Sequence, residues 1–123
     1  MADIREYADS LLANSDAIDL NATAETVLFT VPAGKSCIIT KVIMHTPSAA
    51  VTTASISFGF NTGDADDVIS DGVRTLTGAI NYEDIPAKSD AVRGAAGGTF
   101  KLDVNTAEGG ALTAKFAVFG ILY

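Results

Sequence analysis

Two residue types that often act as nucleophiles or zinc ligands occur once each in the sequence, one cysteine and one histidine. Cys37 and His45 frame the segment CIITKVIMH, whose apolar and β-branched residues predict one continuous central strand that is covered on both faces. Eight steps of about 3.3 Å would then separate them by roughly 26 Å, far beyond hydrogen-bond reach. Zinc sites need three or four such ligands within one chain. We therefore predict a buried apolar role for Cys37, a surface position at a strand end for His45, and no enzymatic activity.

A second candidate for chemistry is the acidic stretch GDADDVISDG, which contains Asp64, Asp66, Asp67 and Asp71. Carboxylate oxygens are the ligands that calcium prefers. The spacing does not match an EF-hand, because Ile69 stands where that loop requires glycine and no glutamate closes it. We expect a solvated loop in which an aspartate caps a helical turn, with calcium binding as the alternative. No cofactor is expected.

The elements that must position these residues read as short strands separated by turn signals. The clearest predicted strands, from apolar alternation and flanking glycine and proline residues, are residues 26–31, 37–46, 52–60, 99–104 and 111–123. Weaker candidates are residues 75–77, 79–82 and 91–93, and residues 63–72 read as a loop. About eight strands with almost no helix between them predict an all-β fold, an antiparallel sandwich of jelly-roll type. An immunoglobulin-like sandwich is the second choice, because the chain has one cysteine and no tryptophan.

The beginning of the chain follows a helical pattern instead. Asp3 is a possible N-cap with Glu6 three residues later, and apolar residues recur at helical spacing at Ile4, Tyr7, Leu11 and Leu12. This predicts a short helix over residues 3–13, within an N-terminal arm of residues 1–16 that precedes a β-sandwich domain of residues 17–123. An isolated helix of this length is marginally stable. Its apolar stripe should therefore pack on its own sandwich or on a neighbouring protein.

Composition restricts the partners and the place of synthesis. The formal net charge is −7, and the basic residues are scattered singly, which disfavours nucleic-acid backbones and anionic membrane surfaces as partners. The first residues, MADIREYAD, are charged and lack the apolar stretch of a secretion signal. No apolar run approaches the length that spans a bilayer. We expect synthesis in a cytoplasm without a signal peptide.

The sequence of the predicted strands and turns resembles that of a known class of proteins over residues 20–123. The segments TVLFTVPAGKSCIITKVIMH, TASISFGFNTG and AVRGAAGGTFKLDVNTAEGGALTAKFAVFGILY are similar to small structural proteins of tailed bacteriophage virions, such as those that decorate or cement the capsid. The resemblance implies a β-sandwich subunit, often a homotrimer, that is bound to a capsid or tail lattice in the virion. It carries over no functional residues.

This resemblance leads to a specific functional hypothesis with one rival. Identical subunits would associate through a sheet face and bridge neighbouring copies of the major capsid protein, which stabilises the shell by mass action. The candidate interface residues are Tyr7, Leu11 and Tyr123. The rival is a receptor- or carbohydrate-binding module of a phage tail that uses calcium at Asp64 to Asp71.

Overall fold

A computed structural model of the chain describes residues 9–77 and 81–123, and within these residues it contains nine β-strands and no helix. The described part therefore has no helix that could cross a membrane. The strands are β1 (Ser10–Asn14), β2 (Ile18–Asp19), β3 (Glu25–Thr30), β4 (Cys37–His45), β5 (Ser55–Gly59), β6 (Ile69–Val73), β7 (Glu83–Pro86), β8 (Thr99–Thr106) and β9 (Thr113–Leu122).

The strands form two antiparallel sheets. The five-stranded sheet has the order β1-β9-β4-β7, and β2 extends it by pairing with β9. The four-stranded sheet has the order β3-β8-β5-β6. Within the described residues every pair of neighbouring strands is antiparallel, and most pairs join strands that are distant in the sequence. The all-β prediction is confirmed.

The core lies between the two sheets, where their inward-facing side chains meet. Phe58 of β5 stacks on Phe100 of β8 with 6.1 Å between ring centroids, and it meets Phe116 of β9 edge-on at 5.8 Å. All three rings are fully buried, and Phe116 belongs to the other sheet, so this cluster joins the two layers. Burial of each ring contributes about 1.5–3 kcal/mol. The other large, fully buried side chains are Leu20, Val31, Ile39, Val42, Met44, Val51, Ile56, Ile85 and Leu102.

The five clearest strand predictions are confirmed as β3, β4, β5, β8 and β9, with shifted ends. The loop prediction for residues 63–72 is wrong at its end, because residues 69–72 belong to β6. The predicted strand at 75–77 is reduced to a single bridge from Leu76 to Val51. Of the candidate strand at 79–82, residues 79 and 80 lie outside the described part, while β7 begins immediately after it.

The helix predicted over residues 3–13 is wrong for its second half. Residues 10–14 form β1, which pairs with β9 through partners such as Leu11 and Phe119. An eleven-residue helix gains little stability alone, whereas the edge of β9 offers backbone hydrogen-bond partners along its length. Residues 3–8 of the prediction, including Tyr7, lie outside the described residues. The division of the chain at residue 16 stays a prediction.

Candidate functional site

The outward-facing side of the five-stranded sheet carries a group of partly accessible apolar side chains. Residues directly opposite each other on antiparallel strands share a face of the sheet. The outward pairs of β4 and β9 are Ile38 with Ile121, Lys41 with Phe119, and Ile43 with Ala117. Intervening residues such as Ile39, Val42 and Val118 are buried in the core. We call the surface formed by Leu11, Ile38, Ile43, Ala117, Phe119, Ile121 and Tyr123 the outer face.

The apolar residues of the outer face remain partly accessible, apart from Ala117, which is buried. Leu11 is 55% exposed and lies directly opposite Phe119. The Lys41 ammonium lies 5.0 Å from the centre of the Phe119 ring and 3.8 Å from the Asp84 carboxylate. Lys41 lies between Ile38 and Ile43 on β4, so this face combines apolar side chains with a charged one, as protein interfaces do.

Tyr123 closes one end of the outer face beside a groove. Its backbone exchanges two hydrogen bonds with Ser36, at 2.8 and 3.0 Å, which fixes this end of the chain beside the start of β4. The Arg93 guanidinium donates a hydrogen bond of 2.9 Å to the Tyr123 hydroxyl and lies 5.8 Å from its ring centre. With Ile38 and Ile121, these two residues line a groove of about 280 Å³.

The structure places two of the three predicted interface residues, Leu11 and Tyr123, on this same face. Sequence reasoning missed Ile38 because it predicts that residues 37–46 are covered on both sides, whereas in the structure only the inner side of β4 is buried. It also missed Phe119 and Ile121 of β9. The usable signal was present in β9, where every second residue toward the end of the chain is a large apolar one. The interface role of Leu11 and Tyr123 stays a prediction.

The aspartate side chains of the acidic stretch accept hydrogen bonds from other groups of the same chain. The Asp67 carboxylate accepts a 2.7 Å hydrogen bond from the Phe60 N–H, and Asp66 accepts one from the Asn61 amide at 3.3 Å. Asp71 accepts a hydrogen bond of 2.9 Å from Asn105. Within residues 9–77 and 81–123, no three histidine, cysteine, aspartate or glutamate residues are placed to hold a metal ion. Calcium binding therefore stays a prediction without structural support.

The loop that carries these aspartates covers the outward side of β5. A Cβ atom at Gly59 would collide with the Asp67 carboxylate and backbone, so glycine is required for this close approach. Ser57 on the same side is fully buried and accepts a hydrogen bond of 2.9 Å from Asn105. The small residues on this side of β5 thus permit the close approach of a loop of the same chain.

Asp103 is a buried carboxylate beneath the same loop, and its side chain is 8% exposed. Burial raises its pKa, and the nearby Glu25, Asp64 and Asp71 carboxylates act in the same direction. The Ala65 N–H opposes this shift through a hydrogen bond of 3.3 Å. Asp103 is thus a buried carboxyl group with a raised pKa.

The residues that could have supported nucleophilic chemistry are kept apart. Cys37 is fully buried at the start of β4, and desolvation raises its thiol pKa to about 11, so the reactive thiolate is scarce at neutral pH. His45 is at the other end of β4, hydrogen-bonded to Thr46 at 2.9 Å and Asn14 at 3.1 Å. The predicted positions of both residues are confirmed.

Comparison with known proteins gives a match at the level of structure. No protein-family model matches the chain, and no curated protein matches it in sequence. Among solved structures, it is similar to a chain of the capsid asymmetric unit of the cyanophage Pam1, with a TM-score of 0.58 and 13% sequence identity. The match covers 93% of this chain and 84% of the other, so the two chains are of similar length. At this identity the likeness establishes a shared fold.

Proposed function

We propose that this protein is a non-enzymatic structural component of a bacteriophage virion. The observation that carries the proposal is the likeness to a chain of a phage capsid assembly over 93% of the present chain. Because the match spans most of both chains, it supports a likeness of the whole domain and not of a fragment. The apolar outer face adds an independent reason to expect association with other proteins.

The strand connectivity supports assigning the fold as a jelly roll. In this fold the chain forms nested antiparallel pairs that are rolled into two sheets. The pairs β1 with β9, β3 with β8, β4 with β7, and β5 with β6 are nested in this way. Viral capsid domains are among the proteins built on the jelly roll.

Within the virion, the role we propose is capsid decoration. Copies of the protein would associate as a homotrimer through the outer face and then bridge neighbouring copies of the major capsid protein. Bridging stabilises the shell because a ligand that binds only the assembled state disfavours disassembly. Leu11 and Tyr123, together with Tyr7, are the proposed interface residues.

Two apolar residues of nearly equal solvent exposure, on opposite sheets, allow a matched test of self-association. Leu11 is 55% exposed on the outer face, and Val27 is 54% exposed on β3 of the opposite sheet. We expect Leu11→Glu to convert an associated protein to monomers of 12.6 kDa, while Val27→Glu leaves the associated mass unchanged. Light scattering across a concentration series measures both masses, and circular dichroism checks that each variant is folded.

The shell-binding step has a separate test. Cosedimentation of the purified protein with capsid shells that lack it should give saturable binding, and bound shells should resist thermal disruption better than bare shells. A monomeric wild-type protein would contradict self-association. Failure of a correctly associated protein to bind shells would contradict decoration alone.

A further inference from the structure

Residues 61–66, which we call the cover, lie over the outward side of the four-stranded sheet and are joined to it through side chains. The Gly63 N–H donates a hydrogen bond of 2.8 Å to the Glu25 carboxylate of β3, and the Ala65 N–H donates one of 3.3 Å to the Asp103 carboxylate of β8. Within the described part of the chain, the cover makes no backbone-to-backbone hydrogen bond. Its hydrogen bonds to the sheet therefore depend on two carboxylates.

These two carboxylates lie side by side on the sheet. Glu25 and Asp103 are directly opposite each other on β3 and β8, a position in which like charges are destabilising. Asp103 is buried, whereas Glu25 is exposed. Closing the cover takes water away from the Asp103 carboxylate, and a single long hydrogen bond from the Ala65 N–H replaces that water only in part. The charged form of Asp103 is therefore costly while the cover is closed.

The acidic groups that face Asp103 come from each neighbouring element that carries one. Burial raises the Asp103 pKa, and the carboxylates of Glu25 on β3, Asp64 in the cover and Asp71 on β6 raise it further. The remaining neighbour, β5, has the sequence SISFG and contributes no titratable side chain. All the charges that act on Asp103 from these neighbouring elements thus oppose its ionisation.

The other charged side chains of this region are engaged elsewhere. The Lys101 ammonium, on the same strand as Asp103, donates hydrogen bonds of 2.9–3.2 Å to carbonyl and hydroxyl oxygens and to no carboxylate of the described residues. Asp66 accepts a hydrogen bond from the Asn61 amide, and Asp67 accepts one from the Phe60 N–H. No cation therefore offsets the negative charge of Asp103 in the closed cover.

We propose that the cover opens locally when Asp103 is ionised and closes over the sheet when Asp103 takes up a proton. The closed state binds this proton more readily than the open state, because opening returns the carboxylate to water. Opening is therefore rarest below the pKa that Asp103 has in the open state, and it rises by up to tenfold per pH unit until the pKa of the closed state is passed. The outward side of the four-stranded sheet is then more accessible at neutral pH than in mild acid. The proposal does not depend on the virion role.

Amide hydrogen exchange followed by NMR measures the opening of the cover. After correction for the intrinsic pH dependence of exchange, the equilibrium constant for opening at Gly63 and Ala65 should be several-fold smaller in mild acid than at neutral pH. Asp103→Asn removes the charge and keeps an oxygen acceptor, so it should lower this constant several-fold at neutral pH and abolish its pH dependence. The matched control is Asp16→Asn, at an exposed aspartate between β1 and β2, and it should change neither. Equal opening in the wild type and in Asp103→Asn at neutral pH would overturn the proposal.

Two measurements on the wild type keep the test independent of the variant's folding. The core amide of Val118 reports unfolding of the whole domain, and the Ala65 amide should exchange much faster if the cover opens locally. A cover amide that exchanges only at the rate of Val118 would contradict local opening. The side-chain carboxyl carbon of Asp103 should titrate over the same pH range in which the opening at Ala65 changes. An Asp103 carboxyl that titrates as an ordinary exposed aspartate does would also overturn the proposal.

Discussion

Glu108 provides the sharpest prediction about stability, because one carboxylate accepts hydrogen bonds from three consecutive backbone N–H groups. Its oxygens lie 2.8 Å from the Thr53 nitrogen, 2.9 Å from the Ala54 nitrogen and 3.1 Å from the Thr52 nitrogen. The Thr52 hydroxyl donates another bond of 3.0 Å. These bonds tie the turn between β8 and β9 to the residues that enter β5. Replacing Glu108 by alanine would leave these donors without their acceptor.

The magnitude follows from the Glu108 pKa. Burial alone would raise this pKa, but the hydrogen bonds from Ala54, Thr53 and Thr52 outweigh it and lower the pKa from 4.5 to about 2. At about 1.4 kcal/mol per pKa unit, this change sets an upper limit of about 3.5 kcal/mol on the contribution of the charged Glu108 carboxylate to the free energy of unfolding. Glu108 is partly solvent-exposed, so screening reduces this to roughly 1–2 kcal/mol.

The sign of the pH dependence follows from the same shift. The unfolded state binds a proton more readily than the folded state, so this stabilisation is fully present above about pH 4.5 and is lost as the pH falls toward 2. Thermal unfolding should show Glu108→Ala melting roughly 3–8 °C below the wild type at neutral pH, with the gap narrowing in acid. Asp90→Ala, at an exposed carboxylate, is the control and should leave Tm unchanged. A gap that is absent at neutral pH, or that widens in acid, would refute the reasoning.

Three further predictions concern packing, burial and metal binding. Gly94→Ala would place a Cβ atom 2.5 Å from the Phe60 ring. We therefore expect chemical denaturation to show a free energy of unfolding that is lower by about 1–3 kcal/mol. The control is Gly110→Ala, whose Cβ meets open space and should lower the free energy of unfolding far less. Asp103→Asn should raise Tm at neutral pH, because the raised pKa of Asp103 means that its charged form opposes folding once the pH exceeds the pKa in the unfolded state. This gain in Tm should disappear in acid. A variant with a lower Tm than the wild type at neutral pH would contradict the prediction. Millimolar calcium should leave Tm unchanged relative to a chelator, because the carboxylates of Asp66, Asp67 and Asp71 accept hydrogen bonds within the chain; a calcium-dependent rise in Tm would support a calcium site.

The main strands were predictable because their signals are local. Strand β4 and strand β9 combine β-branched and apolar runs with clear turn residues before them, such as Pro32 and Gly34 ahead of β4. Gly34 has a positive φ of 75°, as its place in that turn requires. In contrast, β6 has the sequence ISDGV, which contains loop-forming aspartate and glycine. It is a strand because β5 supplies its hydrogen-bond partners.

The N-terminal helix and the outer face were mispredicted for non-local reasons. The spacing of Leu11 and Leu12 fits a helix, but β9 is available as a pairing partner and no local signal reports it. Apolar residues on both sides of β4 indicated burial on both sides. Which side is left accessible depends on the order of strands in the sheets, which the sequence pattern does not encode. The outer face therefore emerged only from the structure.

Quantitative mass spectrometry of phage particles purified from cells that express this gene tests the proposed virion role most directly. We predict that the protein copurifies with intact particles in many copies per particle, at a fixed ratio to the major capsid protein. A protein that is abundant in the infected cell but absent from purified virions would contradict the structural role.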